Sequence, residues 1–416
     1  MLYNIEDKVP FNKLILFAIQ MVLSVFVATV LIANICGVPV SGALVGAGIA
    51  TLIYLLLTKN HSPMFMSNSG AFVAPVLAAM AAGGYSAIAI GGITTAIIYC
   101  IFGYIFTKVP VDTIYKFFPH ALIGAITTVI GVNLMAFITT YVQIDGVVNM
   151  WGVSVAFVTM ISIALISHYS KGIFRILPFL LGTGIGYLYA VILTVADICP
   201  MISFDVFNNI SLFSLPTFAF TQWEPINLIT VLPIIIIYIA YTISAICECL
   251  SDHAALSGII GQDLYKNPGL PRIFIGEGLA NIAGSVLGGL GICSYGESVA
   301  CIGFSKICAA SVTATAAGIL ILLGFLTPVQ VFISSIPSCV FAGAAIILYG
   351  YIACSGIKML QQVDLNIQKN LIITSVVLSL GVCGLVVGNA TLSFSGTALA
   401  LIVGIILNLL LKDSES

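Results

Sequence analysis

From Leu14 to Leu411 this chain is a succession of apolar runs separated by short polar breaks. The runs are roughly 17–25 residues long, the length a helix needs to cross a bilayer. The chain is 60 % hydrophobic and only 7 % charged, with a mean hydropathy of +1.19, which excludes a soluble globular domain. Inside a bilayer every backbone N–H and C=O has to be satisfied within the segment, so runs of this length are read as helices and the chain as an all-α integral membrane protein. Glu6, Asp7 and Lys8 precede a first run too long for the core of a signal peptide, so that run is expected to remain as a span. The eleven Cys are an odd number, and Cys100, Cys247, Cys308 and Cys383 lie inside apolar runs. They read as small packing residues rather than disulfide partners. Cys247 and Cys249 are read without a His or Cys at metal-ligand spacing, so neither a metal nor another cofactor is expected.

Fourteen spans fit the runs, at about 14–35, 41–58, 70–82, 86–107, 119–141, 151–167, 174–194, 233–256, 271–290, 297–310, 312–327, 337–354, 370–387 and 392–411. Cytoplasmic loops of membrane proteins are enriched in Lys and Arg. With the N-terminus inside, Lys8, Lys13, Lys59, Lys108, Lys116, Lys171, Arg175, Lys266, Arg272, Lys306, Lys358, Lys369 and Lys412 all fall on the cytoplasmic side or at its border. The outer loops carry Asp145, Asp197, Asp205 and Glu224 and no basic residue. Losing or adding one span would destroy this segregation, so both termini are expected in the cytoplasm of a cell-membrane protein.

The longest outer segment, 196–232, holds Pro200, Pro216 and Pro225 and separates residues 1–195, with seven spans, from residues 233–416, with seven more. An odd number of spans per half forces the halves into opposite orientations, as in inverted-repeat transporters. The third span of each half is short and is preceded by small, polar residues, Met66 to Phe72 and Gly291 to Gly296, expected to be short extended stretches. Non-helical backbone at bilayer depth survives only where protein buries it or where it lines a cavity. Paired interruptions of this kind point to a transport site.

Two carboxylates sit in these surroundings. Glu248 lies in the C-terminal part of span eight, with Asp252 one turn on along the same face. Two like charges so close in a low dielectric oppose joint ionisation, which suits a group that takes up and releases a proton. Solvation of Asp252 at the end of the span is the plainer reading of that residue. Glu297 opens the short helix of span ten just after Tyr295 and Gly296, where a helix N-terminus favours an anion. Free N–H groups and a carboxylate together face a ligand that both donates and accepts hydrogen bonds, as a planar cyclic imide does. Glu277 is expected within reach of the interface or of Arg272, in a structural role. His61, His120 and His168 are read as interfacial, and His253 as a possible partner of Asp252.

At these segments the chain resembles the nucleobase/ascorbate transporter family, especially its bacterial uracil permeases. Tyr295-Gly296-Glu297-Ser298 is similar to that family's Tyr-Gly-Glu-Asn signature, and Glu248 matches the glutamate of its Ala-Glu-His motif. Asp263 to Leu270 resembles the connector that follows, and Gln20, Ala71-Phe72-Val73-Ala74-Pro75 and Leu348-Tyr349-Gly350 match further motifs in order. Met21, Gly70, Ser298 and Ala300 depart from the family pattern, and Asp252 stands where some members have His. The resemblance implies a core domain of spans one to four and eight to eleven and a gate domain of spans five to seven and twelve to fourteen. It further implies proton-coupled uptake of a nucleobase, most of all uracil, with the proton as coupling ion, and a homodimer formed through the gate domain in the lipid bilayer.

By the same resemblance Glu248, Glu297, Gly296, Tyr295, Gly70, Ala71 and Phe72 bind the base. Glu248, Asp252 and Glu297 couple the proton, and Tyr349 makes the gate contact. No nucleic acid is expected as a partner. A purine or xanthine carrier of the same family is the alternative, followed by an anion transporter of the sulfate/bicarbonate type, which Glu297 at a helix N-terminus disfavours. An intramembrane enzyme lacks a recognisable nucleophile or metal helix, and a passive channel is separated from a carrier by non-saturating flux.

Overall fold

The computed structural model describes residues 2–108, 119–136, 138–144, 147–171, 174, 178–208, 210–385, 387–388, 393–394 and 396–411. Lys116, Asp145, Arg175 and Lys412, used above to orient the chain, lie outside the described residues. The fold is mostly helical: α1 (Phe11–Ile35), α2 (Val40–Leu57), α3 (Val73–Ile105), α4 (His120–Met135), α5 (Met150–Tyr169), α6 (Pro178–Val195) and α7 (Leu228–Ile260). They are followed by α8 (Leu270–Ala283), α9 (Gly296–Ser305), α10 (Ala310–Phe325), α11 (Ser338–Leu360), α12 (Gln368–Val382) and α13 (Gly396–Leu410). Among the described residues, eight helices are long and apolar enough to cross a membrane.

Proline and glycine set the boundaries. Pro10, Pro39, Pro119 and Pro337 stand directly before α1, α2, α4 and α11, where a residue without an N–H costs no intrahelical bond. The runs at 70–82 and 86–107 are joined as one continuous stretch, α3, which is broken at Gly83 and Gly84. Gly84 has φ 60 and ψ −149, a conformation essentially open to glycine alone.

The helices pack in two groups. α2 packs on α8 and α10, α3 on α7 and α8, and α1 on α10; separately, α4 packs on α11 and α12, α5 on α6 and α11, and α12 on α13. Small residues permit the close approaches, as membrane helices without a hydrophobic driving force between them require. A β-carbon on Gly46 would stand 3.1 Å from the Gly288 nitrogen, where α2 meets the turn after α8. The exposed side chains include apolar ladders at four-residue spacing, Ile93, Ile97 and Ile101 on α3 and Phe157, Ile161 and Leu165 on α5, which suit contact with lipid.

Among the described residues, three two-stranded ribbons complete the fold. Two are hairpins, β2 (Gln143–Ile144) with β3 (Val147–Val148) and β5 (Val387–Gly388) with β6 (Ser393–Phe394). The third joins distant parts of the chain: β1 (Met66–Asn68) runs antiparallel to β4 (Ile292–Ser294), with Ser67 opposite Cys293.

Candidate functional site

The β1–β4 ribbon is buried on every side, and its edges are closed by side chains rather than by further strands. Thr51 on α2 accepts from the Met66 N–H at 3.1 Å and donates to the Met66 carbonyl at 2.9 Å. Asn68 donates to the Thr29 carbonyl at 3.1 Å, and the Thr29 and Ser67 hydroxyls are 2.7 Å apart. On the β4 side Asn281 of α8 accepts from the Ile292 N–H at 3.2 Å and donates to the Ile292 carbonyl. Its amide thus replaces a strand neighbour. These bonds satisfy backbone groups that would each cost about 1–3 kcal/mol if buried unpaired.

A helix starts from the C-terminal end of each strand. β1 leads through Ser69, whose side chain accepts from the Ala71 N–H, and the turn Gly70–Phe72 into α3; β4 leads through Tyr295 into α9. Because the strands are antiparallel, the two helices leave opposite ends of the ribbon and turn their N-termini, with unpaired N–H groups, back toward it. Gly296 is exposed and Gly70 half-buried, so both leave backbone accessible beside the ribbon.

Glu248, on α7, meets the ribbon at its centre. Its Oε2 lies 3.5 Å from the Ser69 hydroxyl and 3.5 Å from the Cys293 thiol, one donor from each strand segment. The Glu248 side chain is nevertheless exposed, whereas its neighbours Cys249 and Leu250 are buried. Glu297 is half-buried and lies within electrostatic reach of Glu248. Asp252 is half-buried; its Oδ1 stands 3.6 Å from where a β-carbon on Gly296 would be, and its Oδ2 has no hydrogen-bond partner. The structure therefore brings Glu248, Asp252, Gly296 and Glu297 together.

The other expected site residues are placed differently. Ala71 and Gly70 line a narrow cavity of about 30 Å³ with Ala74, Tyr241, Asn133 and Thr397, between α3 and α7 on one side and α4 and α13 on the other. That volume suits water rather than a ring. Phe72 is 1 % exposed, packs against Gly291 and stacks on Tyr238 with ring centres 6.0 Å apart, so its side chain belongs to the core. Tyr295 is 6 % exposed. Tyr349 is fully buried beside Tyr141 and Cys36, and is not brought to the carboxylates.

Three expectations for neighbouring residues change. Glu277 is 0 % exposed and faces Cys249, Tyr99 and Ser294, with neither oxygen hydrogen-bonded. His253 pairs not with Asp252 but with the Tyr54 hydroxyl through Nε2 and the Cys249 carbonyl through Nδ1, each at 2.7 Å. Adjacent residues on a helix point about 100° apart, which separates His253 from Asp252. Cys249, read without a metal-ligand partner, has ligand atoms of His253 and Glu277 within 4.8 Å. His253 stands one helix turn after Cys249 in the sequence, but chain spacing could not reveal Glu277, which comes from another helix. Both ring nitrogens of His253 are already engaged, so the three side chains do not offer a free ligand set.

Ser69, Cys293 and Asn281 were not singled out from the sequence. The first two lie inside the stretches marked for their small polar residues, where neither residue type by itself announces a contact with Glu248. Nothing local to Asn281 distinguishes it from a polar residue within a span.

Comparison with known proteins then places the chain. The model of the Permease family matches residues 12–389. The uracil permease of Bacillus caldolyticus is 32 % identical, covering 98 % of this chain and 94 % of the relative. The uracil permease of Escherichia coli (strain K12) is 30 % identical over the same shares of the two chains, 98 % and 94 %. Among solved structures, the transmembrane domain of the cyanobacterium bicarbonate transporter BicA aligns with a TM-score of 0.60 at 14 % identity, over 97 % of this chain and 100 % of that one. The murine anion transporter Slc26a9 in its inward-facing state aligns with a TM-score of 0.72 at 11 % identity, over 97 % and 69 %. Identities this low relate the folds alone. With the family model matched across nearly all of its spans, the chain belongs to the Permease family, the nucleobase/ascorbate transporters.

Proposed function

We propose that this protein is a proton-coupled symporter that imports a nucleobase, uracil first, across the cytoplasmic membrane. The observation that carries the reading is the placement of Glu248. It is an accessible carboxylate beside the buried ribbon, facing both strand segments and close to the start of α9. A cyclic imide presents ring N–H groups to carboxylates and ring carbonyls to backbone N–H groups, and Glu248, Glu297 and the backbone at Gly70 and Gly296 offer that complement. Membership of the family and the uracil permease relatives support the substrate class. The protein transports its ligand and does not transform it.

The finer architecture belongs to the same proposal. Residues 1–195 and 233–416 form inverted repeats joined by the outer segment 196–232, with both termini cytoplasmic. Spans one to four and eight to eleven form the core domain, and the remaining spans form a gate. The two packing groups of helices support that division, and the narrow cavity beside Gly70 and Ala71 lies where the two domains face each other. Opening it lets a ring in. Assembly as a homodimer through the gate domain rests on the family resemblance. Glu248, Asp252 and Glu297 hold the coupling proton, and Tyr349 acts at the contact between domains.

The experiment that tests the reading is a thermal-shift screen of the purified protein against uracil, thymine, xanthine, hypoxanthine, adenine, guanine, uric acid, sulfate and bicarbonate. Stabilisation by uracil is expected. Stabilisation by a purine alone moves the assignment to a purine or xanthine carrier, and stabilisation by an anion with no response to any base overturns it.

A further inference from the structure

Two short helices begin at the ribbon, and each ends at a break that a distant segment of the chain holds. α9 has ten residues, with Glu297 in its first turn, and stops at Lys306, whose φ of 59 is left-handed. The first part of α3, Val73 to Ala82, stops at Gly83 and Gly84. A ten-residue helix is about 15 Å long at 1.5 Å per residue, so whatever fixes its far end also sets where its N-terminus stands.

The break after α9 is held by the residues that lead into α1. Tyr3 pairs in parallel with Ile307. The Leu2 N–H donates to the Lys306 carbonyl at 2.6 Å, and the Cys308 and Ala310 N–H groups donate to the carbonyls of Tyr3 and Ile5 at 3.1 and 3.0 Å. Ile5 is 6 % exposed and anchors this segment in the core, while Tyr3, Val9 and Phe17 pack on Ile307 and its buried neighbours. The break in α3 is held by the residues that lead into α7. The Ser86 hydroxyl donates to the Glu224 carbonyl at 2.6 Å and accepts from the Glu224 N–H at 2.8 Å. The Ile226 side chain packs directly on Gly83. The exchange is reciprocal: the lead-in to the first helix of one half holds the short helix of the other half. In the orientation proposed above, the two contacts lie on opposite faces of the membrane.

We propose that residues 2–5 and 224–226 are positioning straps for the base site, each setting the N-terminus of the short helix whose break it holds. The proposal rests on the base-binding reading above. The inner strap, residues 2–5, works through α9 on Gly296 and Glu297. The outer strap, residues 224–226 with Ser86, works through the first part of α3 on the backbone at Gly70. Neither strap touches the ligand. Because the far ends are held, the two N-termini keep their separation across the ribbon, and that separation sets how a flat ring fits against them.

The test is isothermal titration of uracil into the purified full-length protein carrying Ile5→Ala or Ser86→Ala, each in the wild-type and in the Glu297→Gln background. Alone, each strap variant should weaken binding about threefold or more, the scale of one lost hydrogen bond. Residues that act through one group are not additive. In Glu297→Gln, Ile5→Ala should therefore cost little further affinity, whereas Ser86→Ala, acting on the other helix, should cost the same factor as before. Ile5→Val and Ser86→Thr keep the anchor and the hydroxyl and should bind as wild type. Should Ile5→Ala not fold, Tyr3→Ala loosens the same strap from a half-buried position and takes its place. Wild-type affinity in either strap variant overturns that strap. An equal loss from Ile5→Ala in the two backgrounds overturns the inner strap as well, because it would mark a general loosening rather than the positioning of α9. A wild-type protein that binds no base overturns the base-site reading itself and the role of both straps with it.

Discussion

Cys293 holds its thiol 3.5 Å from Oε2 of Glu248, the oxygen that Ser69 approaches from the other strand segment at the same distance. One carboxylate oxygen thus faces a donor from each strand segment of the ribbon. The ribbon therefore positions the residue that the proposed function depends on most.

Removing that seat should loosen the carboxylate without removing it. A neutral hydrogen bond contributes about 0.5–1.5 kcal/mol net and one to a charged group about 1.5–3 kcal/mol. Cys293→Ala should weaken uracil binding about three- to tenfold, with 1.4 kcal/mol equal to a factor of ten. Cys293→Ser keeps a donor and should stay near wild type. Isothermal titration of the two variants checks this; equal affinities for Ala and Ser would show that the thiol does not position Glu248.

Glu297→Gln exchanges one acceptor oxygen for a donor NH₂ in a half-buried position. If the carboxylate accepts a ring N–H, the mismatch costs on the order of 1–3 kcal/mol, and uracil affinity should fall roughly tenfold or beyond. An unchanged affinity would assign Glu297 to the N-terminus of α9 alone.

Asn281 gives a stability prediction that is independent of the substrate. Asn281→Ala leaves the N–H and the carbonyl of Ile292 without their partners in a fully buried strand, at about 1–3 kcal/mol for each orphaned group. The melting temperature in detergent should drop by several degrees. A melting curve that overlays wild type would mean that water takes the place of the amide.

Much of the fold was legible because it is written in hydrophobic run length and in proline position. α1, α2 and α11 begin within a few residues of where the apolar runs begin, since the bilayer sets a minimum length that no soluble protein needs. The break in α3, at Gly83 and Gly84, falls in the gap between the apolar runs at 70–82 and 86–107. The candidate site was legible as Glu248 with Asp252 one turn on, and as Gly296 and Glu297 at the second interrupted stretch. What could not be read was the third dimension: Glu277 was placed near Arg272 because they are close in sequence, whereas it packs on Cys249 from another helix. His253 likewise took its partner Tyr54 from a helix 199 residues away. Phe72 sits in a motif that the resemblance ties to the base, yet its ring is spent on Gly291 and Tyr238. Sequence pattern marks which backbone breaks, and packing decides which side chain is left free.

The proposed orientation has its own test. Single cysteines introduced at Asn208, in the connector between the halves, should react with an impermeant maleimide added outside intact cells. Cysteines at Asn267 and Lys369 should react only after the membrane is opened. Labelling of position 267 from outside would contradict cytoplasmic placement of the loop between α7 and α8.

The most direct test of the central claim is concentrative uracil uptake by Glu248→Gln in liposomes under an imposed pH gradient. Glutamine keeps the shape and one acceptor oxygen but cannot take up a proton. The account predicts that accumulation disappears while protein yield and melting temperature stay at wild-type values. Accumulation at the wild-type level would contradict it, because the carboxylate seated on Ser69 and Cys293 would then be neither the base contact nor the site that couples the proton.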